Sequence, residues 1–178
     1  MKNMKRSHLS GLIKKTGLAV IASTFLLAAP IAQADGHVKP AVVYDTAGKN
    51  DKSFNEAVFN GITRFMNDTG IAVTELEPTN EAMMEQSLKK FAQRGYSPVV
   101  AVGFTMANAV AAAAAEYPDT QFTIIDGVVD APNVQNVIYK EHEGSFLVGV
   151  MAAMASNSGT VGFVGGMDIP LISRFECG

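Results

Sequence analysis

Short apolar runs alternate with segments of helical periodicity along most of the chain, and this alternation constrains the fold more than any other feature. The apolar runs predict strands at 41–44, 71–76, 99–102, 122–125, 134–139 and 160–164, and the intervening periodicity predicts helices at 53–68, 81–94, 106–116, 143–156 and from 169 onward. In the first helix, Phe54, Val58 and Ile62 recur at helical spacing. Strands separated by helices of this length favour right-handed crossovers, so the sequence predicts an α/β fold with a parallel sheet flanked by helices.

Composition and charge narrow the class of protein. The 178 residues are 48% hydrophobic and 17% charged, which favours one packed domain over a disordered chain. The net charge is −3 and no basic stripe occurs beyond the first fifteen residues, so we expect no nucleic-acid partner. One cysteine, Cys177, provides neither a disulfide framework nor a cysteine metal site.

Residues 1–34 have the composition of a secretory signal peptide. Basic residues precede an apolar run from Gly17 to Ala29, Pro30 ends it, and Ala32-Gln33-Ala34 supplies a small-residue cleavage pattern. The run is shorter than the ~20 residues that are needed to span a bilayer. The alternative to a cleaved signal peptide is an uncleaved membrane anchor. No cysteine stands at the cleavage site, so we predict a periplasmic protein with no lipid anchor.

Polar and aromatic residues follow the ends of the predicted strands. Asp45 ends the first strand, Phe104 follows the third and Asp126 follows the fourth. The carboxyl ends of parallel strands share one edge, where ligands bind in open α/β sheets. A carboxylate, an aromatic face and an amide suit a polar ring such as a sugar or nucleobase. The candidate ligand-binding residues are Asp45, Ser53, Phe54, Asn55, Phe104 and Asp126.

Each of these residues also has a structural interpretation. The loop between Asp45 and Asn55 resembles an ordinary capped loop, in which Asp51 or Ser53 caps the first helix. Phe104 could belong to the core, and Asp126 could cap a turn.

The sequence lacks the common enzyme signatures. It contains no phosphate-binding P-loop, no dinucleotide-binding glycine motif after a strand, and no nucleophile elbow. The histidines His8, His37 and His142 are scattered, and His142 is interpreted as a solvated helix start rather than a base or metal ligand. Two carboxylates at one edge are compatible with acid–base catalysis, but hydrogen bonding to a neutral polar ligand fits better. We therefore predict a binding protein, with no enzyme activity, cofactor or metal.

A series of motifs, in this order, resembles a known family. They are Asp51-Lys52-Ser53-Phe54-Asn55, Gly103-Phe104, Tyr117-Pro118-Asp119, Phe122-Thr123-Ile124-Ile125-Asp126, Glu143-Gly144-Ser145-Phe146-Leu147-Val148-Gly149 and Val161-Gly162-Phe163-Val164-Gly165-Gly166-Met167, followed by Pro170 and Arg174-Phe175. From about Pro40 to the last residue, the chain resembles the basic membrane protein family of ABC-transporter substrate-binding proteins, also called purine nucleoside receptor-like.

The resemblance implies a fold and a set of site residues. The fold would be a two-lobed clamp of the periplasmic-binding-protein type I-like kind, with an essentially complete first lobe at 35–158 and only the start of the second lobe at 159–178. Family members bind nucleosides between the lobes. Phe54 would then stack on the purine, and Asn55 and Asp126 would hydrogen-bond its edge. Asp45 would do the same or reach the ribose, and Ser53 and Phe104 would be wall residues.

The resemblance also implies partners. A nucleoside would be the small-molecule ligand, and an ABC permease in the inner membrane would receive it when the lobes close. Three alternatives remain open: a sensory receptor of the same fold, a periplasmic nucleoside hydrolase, and a truncated chain that binds nothing well. The hydrolase would need a metal-binding aspartate cluster near the first strand, for which Asp45 and Asp51 are too sparse.

Overall fold

The computed structural model describes residues 38–178, so the predicted signal peptide at 1–34 lies outside the described residues. The strands are β1 (Ala41–Val43), β2 (Thr74–Leu76), β3 (Val99–Val102), β4 (Phe122–Ile125) and β5 (Val134–Val137). The helices are α1 (Phe54–Thr69), α2 (Ala82–Gln93), α3 (Ala107–Glu116), α4 (Glu141–Ala155) and α5 (Pro170–Cys177), with a short 3₁₀ helix at Phe104–Met106.

The five strands form one parallel sheet in the order β2-β1-β3-β4-β5. Ala41 pairs with Thr74 on one side and Val99 on the other, and Phe122 in turn pairs with Val99 and Val134. This register brings the carboxyl ends of all five strands to one edge. The predicted parallel α/β fold is therefore confirmed.

One face of the sheet carries the hydrophobic core. Side chains alternate across a strand, and Ala41, Val43, Ala101 and Ile124 are fully buried. The apolar residues of α2 and α3 complete this cluster; they are Met84, Leu88, Phe91, Val110, Ala113 and Ala114.

The opposite face is covered by α1 and carries a groove of about 680 Å³, here called the sheet groove. Its lining includes Val42, Phe54, Val58, Val100, Ile125 and Asp126. Val42 and Val100 come from strands and Val58 from α1, so the groove follows the helix along the sheet. It reaches the carboxyl edge at Phe54 and Asp126.

The predicted sixth strand at 160–164 is wrong. These residues have no regular secondary structure, and Val164 is 96% exposed. A strand forms only where a neighbour accepts its backbone hydrogen bonds, and among residues 38–178 the sheet ends at β5. The apolar run alone therefore does not make a strand.

The last two helices contact each other through an ion pair. Glu141, at the start of α4, is buried and accepts a hydrogen bond of 2.8 Å from Nε of Arg174 in α5. That hydrogen bond, which outweighs the effect of burial, holds the pKa of Glu141 below its usual range. The apolar residues of α4, including Phe146 and Leu147, are exposed. The predicted start of a second lobe at residue 159 stays a prediction.

None of the helices within residues 38–178 combines the length and the apolar character that crossing a bilayer requires.

Two leucines on different helices test the assigned core. Leu88 of α2 is fully buried, whereas Leu147 of α4 is 64% exposed. Leu88→Ala leaves a cavity and should lower the free energy of unfolding by about 2–5 kcal/mol. Leu147→Ala should change it by less than about 0.5 kcal/mol. Urea unfolding followed by circular dichroism measures both, and equal losses in the two variants would contradict the assignment.

Candidate functional site

The six predicted residues all lie at the carboxyl edge of the sheet. Asp45 comes two residues after β1, Phe54 and Asn55 open α1, and Ser53 precedes them. Phe104 follows β3 after one glycine, and Asp126 directly follows β4. The topology therefore brings residues that are up to about eighty positions apart in the chain to one edge. Their roles toward a ligand stay predictions.

A buried amide joins two carboxylates at this edge. Asn55 is fully buried, and its Nδ2 donates to Oδ1 of Asp45 at 2.6 Å and to Oδ2 of Asp51 at 3.2 Å. Its Oδ1 has no hydrogen-bond partner among the described residues. Because both amide protons are already donated, the visible role of Asn55 is to fix the position of Asp45.

Asp51 caps α1. The sequence had predicted either Asp51 or Ser53 as the cap. Its Oδ1 accepts the backbone N–H groups of Ser53 at 2.8 Å and Glu56 at 3.1 Å, and its Oδ2 accepts that of Asn55 at 3.1 Å. Desolvation acts to raise the pKa of Asp51, but these hydrogen bonds hold it below its usual range. Ser53 occupies the N-cap position, is exposed and makes no side-chain capping bond.

A second network holds the loop after β1 from the side of β2. The fully buried Tyr44 donates its hydroxyl to Glu75 at 2.6 Å, and Nζ of Lys49 lies 3.5 Å from the same carboxylate. The backbone N–H of Lys49 donates to Glu77 at 3.0 Å. Burial, followed by the hydrogen bond to Glu75, raises the pKa of Tyr44 above its usual range. Sequence reasoning missed this network, because no spacing pairs β1 with β2.

Gly48 allows the loop to approach β2. It has a φ of 73°, which favours glycine, and a Cβ at this position would lie 2.9 Å from Oε2 of Glu77. The loop that carries Asp45 is thus held on both sides, by α1 and by β2.

Phe54 and Asp45 meet over the end of β3. A Cβ built on Gly103 would lie 3.7 Å from Cε1 of Phe54, 3.8 Å from Oδ2 of Asp45 and 3.9 Å from Oγ1 of Thr105. Gly103 itself has a φ of 107° and donates its N–H to the carbonyl of Ile125 at 3.0 Å. Thr105 was not among the predicted site residues, although its position directly after Phe104 at a strand end is a signal in the sequence that points to it.

Asp126 is a half-buried residue with a strained backbone. Its φ is 61°, its N–H donates to the carbonyl of Val137 at 2.8 Å, and its Oδ1 is buried with no partner among the described residues. Burial, followed by the charge of Glu141, raises its pKa above the ordinary value of 3.8, and Arg174 opposes this. Residues held in sparsely populated backbone conformations cluster at binding sites.

Two further aromatic residues lie near Asp126. Phe104 is half-buried, and its Cα would lie 3.4 Å from a Cβ built on Gly127. Tyr139, which the sequence analysis placed at the end of a strand without a role, lines the sheet groove together with Asp126. The same two residues also line a second groove of about 870 Å³, which continues along α4 past Ser145 and Val148.

The chemistry available at this edge is hydrogen bonding and aromatic contact. Within residues 38–178, no group of three or more His, Cys, Asp or Glu side chains is arranged to hold a metal ion. The two buried side-chain atoms without a partner in this part of the chain, Oδ1 of Asn55 and Oδ1 of Asp126, both lie at the carboxyl edge. Buried polar atoms are normally paired, and both exceptions in this part of the chain lie at one edge of the sheet.

Known proteins are similar to this chain in sequence and fold. A family model described as ABC transporter substrate-binding protein PnrA-like matches residues 38–178. The chain is 32% identical over 146 residues to the ABC transporter nucleoside-binding protein BmpA of Lactococcus lactis subsp. cremoris, covering 79% of this chain and 42% of that protein. It is 34% identical over 147 residues to an uncharacterized lipoprotein of Pyrococcus furiosus, covering 79% of this chain and 37% of that protein. The chain thus spans about two fifths of the length of these relatives.

A solved structure supports the same relationship. The chain superposes on an ABC transporter system solute-binding protein from Aeropyrum pernix K1 with a TM-score of 0.68 and 31% sequence identity. The match covers 78% of this chain and 40% of that chain. The described part of the chain therefore has the fold of the matching part of that solute-binding protein.

The capping geometry leads to a prediction about Asp51. Asp51→Ala removes an acceptor of four hydrogen bonds and should lower the melting temperature at pH 7, whereas Ser53→Ala should leave it nearly unchanged. Because the pKa of Asp51 is lower in the folded chain, its stabilising contribution is present above the unfolded value and is lost as the pH falls through the folded value. Differential scanning calorimetry from pH 3 to 7 measures both effects, and a larger loss for Ser53→Ala would refute the assignment.

Asp126 should oppose folding at neutral pH. Its pKa is higher in the folded chain, so the cost of ionising it is absent below the ordinary value of 3.8 and grows as the pH rises through the folded value. Asp126→Asn removes this cost and suits the positive φ, so it should raise the free energy of unfolding at pH 7 by about 0.5 kcal/mol, allowing for partial exposure. The gain should shrink toward pH 4, and the exposed Asp130→Asn serves as the control. Destabilisation by Asp126→Asn at pH 7 would contradict this account.

Proposed function

Because the chain belongs to the family of PnrA-like ABC transporter substrate-binding proteins, we propose that its carboxyl edge binds a nucleoside, with a purine as the base. Membership confirms the family that the motifs predicted. The family is one of solute-binding proteins. That the ligand is a nucleoside is our proposal. It is supported by the similarity of the chain to the nucleoside-binding protein BmpA from Lactococcus lactis.

The observation that carries the proposal is a buried oxygen of Asp126 in the groove that Phe54 also lines. Among residues 38–178, Oδ1 of Asp126 has no hydrogen-bond partner, and Phe54 lines the groove that reaches Asp126. A purine has a flat face for the ring and N–H groups on its edge for a carboxylate oxygen. Phe54 would stack on the base, and Asp126 would accept from its edge.

The remaining site residues support these two contacts. Asp45 presents Oδ2 toward the space over Gly103, while its Oδ1 is held by Asn55. Asn55 would therefore contribute by positioning Asp45. Phe104 and Ser53 would serve as wall residues, Phe104 beside Asp126 and Ser53 at the exposed start of α1.

Transport of the ligand is proposed for the complete receptor and not for this chain alone. The chain spans about two fifths of its relatives' length, so closure of a second lobe over the ligand and delivery to an inner-membrane permease concern the complete receptor. A cleavable signal peptide, a periplasmic location and the absence of a lipid anchor depend on residues outside the described range. All three stay predictions. The relative from Pyrococcus furiosus is named a lipoprotein, in contrast to the predicted absence of a lipid anchor in this protein.

A thermal-shift screen against guanosine, inosine, adenosine and the free bases tests the ligand. A nucleoside at a hundredfold excess over its dissociation constant should stabilise the folded chain by about 2.7 kcal/mol. Phe54→Ala should abolish the shift by removing the stacking surface. Phe65→Ala is the matched control, because Phe65 lines the same groove from the same helix but lies three turns from the carboxyl edge. An undiminished shift in Phe54→Ala, or no shift with any nucleoside, would count against the proposal.

A further inference from the structure

The floor of the candidate site is a bare backbone surface at Gly103. This glycine is buried, and three side chains surround the place that a Cβ would occupy: Phe54, Asp45 and Thr105. Each presents one atom within 4 Å of that place. The three elements that bring them together are the loop after β1, the start of α1 and the 3₁₀ helix after β3.

Two of the three atoms are oxygens with unused hydrogen-bonding capacity. Oδ1 of Asp45 accepts from Ala47 and Asn55, but Oδ2 receives no hydrogen bond from any residue in the range 38–178. The hydroxyl of Thr105 likewise makes no hydrogen bond within that range, and its residue is exposed. A bound molecule over Gly103 would find both oxygens free.

The two oxygens have complementary chemistry. An ionised carboxylate only accepts hydrogen bonds, whereas a threonine hydroxyl both donates and accepts. A ligand hydroxyl can therefore donate to Asp45 and accept from Thr105, and a neighbouring hydroxyl can use the second lone pair of the same carboxylate. A base edge can supply a donor and an acceptor only in one orientation of its rigid ring, whereas each of two adjacent hydroxyls can both donate and accept. Adjacent hydroxyls therefore satisfy the two oxygens in more orientations.

From this arrangement we infer that Thr105 is a ligand-contacting specificity residue, which recognises adjacent hydroxyls of a sugar together with Oδ2 of Asp45. The inference rests on the proposed nucleoside function and assigns the sugar to the space over Gly103. The base then extends over Phe54 toward Asp126.

The backbone of Gly103 is part of this recognition. Its φ of 107° lies in a region that side chains rarely adopt, and the missing Cβ leaves the space between the two oxygens open. The buried Asn55, by holding Oδ1 of Asp45 at 2.6 Å, turns Oδ2 into a fixed acceptor.

Isothermal titration of the full chain with inosine and with 2′,3′-dideoxyinosine tests the inference. Thr105→Val removes the hydroxyl but keeps the shape, so it should weaken inosine binding by about threefold to tenfold and leave dideoxyinosine binding unchanged. Thr105→Ser keeps the hydroxyl and should retain most of the affinity for inosine. Thr123→Val, in the middle of β4, is the control and should change neither affinity.

The outcomes separate this inference from the proposed function. Unchanged inosine affinity in Thr105→Val, or an equal loss for both ligands, would overturn the role of Thr105 while leaving nucleoside binding intact. The unaltered chain could bind no nucleoside but bind a free sugar with adjacent hydroxyls, such as ribose. If Thr105→Val then weakens sugar binding, the proposed nucleoside ligand is wrong and the role of Thr105 in recognising hydroxyls is supported. Failure to bind any compound with adjacent hydroxyls would overturn both.

Discussion

The site at the carboxyl edge depends on one amide placed between two carboxylates. Without the donors of Asn55, Asp45 and Asp51 would repel each other across a small, partly buried space. With them, Asp51 accepts the free N–H groups at the start of α1, and Asp45 keeps one oxygen fixed and one oxygen free. The same contacts thus start the helix that carries Phe54 and orient an acceptor toward the open space beside it.

The parallel sheet brings residues from other strand ends next to Asp45 and Phe54. Its strand order sets the end of β1 beside the end of β3, and the end of β3 beside that of β4. Gly103 therefore lies next to Asp45, and Asp126 lies next to Phe104 across Gly127. Asp126 is held at a positive φ with a buried, unpartnered oxygen, which is unfavourable for the chain alone. Backbone strain of this kind is concentrated at the functional sites of proteins.

Much of the fold could be predicted from the sequence because its signals are local. The bounds of β3 and β4 were predicted without error, since each is a short apolar run flanked by turn residues. The run at 160–164 has the same composition and is not a strand, because a strand also needs a hydrogen-bonding neighbour. Likewise, the sequence left Asp51 and Ser53 as alternative caps, and only the hydrogen bonds that Asp51 accepts at the start of α1 decide for Asp51.

The sequence by itself determined the class of fold, the family and the strand ends at which polar and aromatic residues collect, because these follow from periodicity and from motifs within short stretches. The tertiary structure decided which of those residues touch. It buried Asn55 instead of exposing it, brought Thr105 to the space over Gly103, and linked Tyr44 to Glu75 across two strands. The contact between Tyr44 and Glu75, and the approach of Phe54 and Asp45 to Gly103, join residues that are far apart in the chain. Their distances depend on strand order and side-chain packing, which local sequence patterns do not specify.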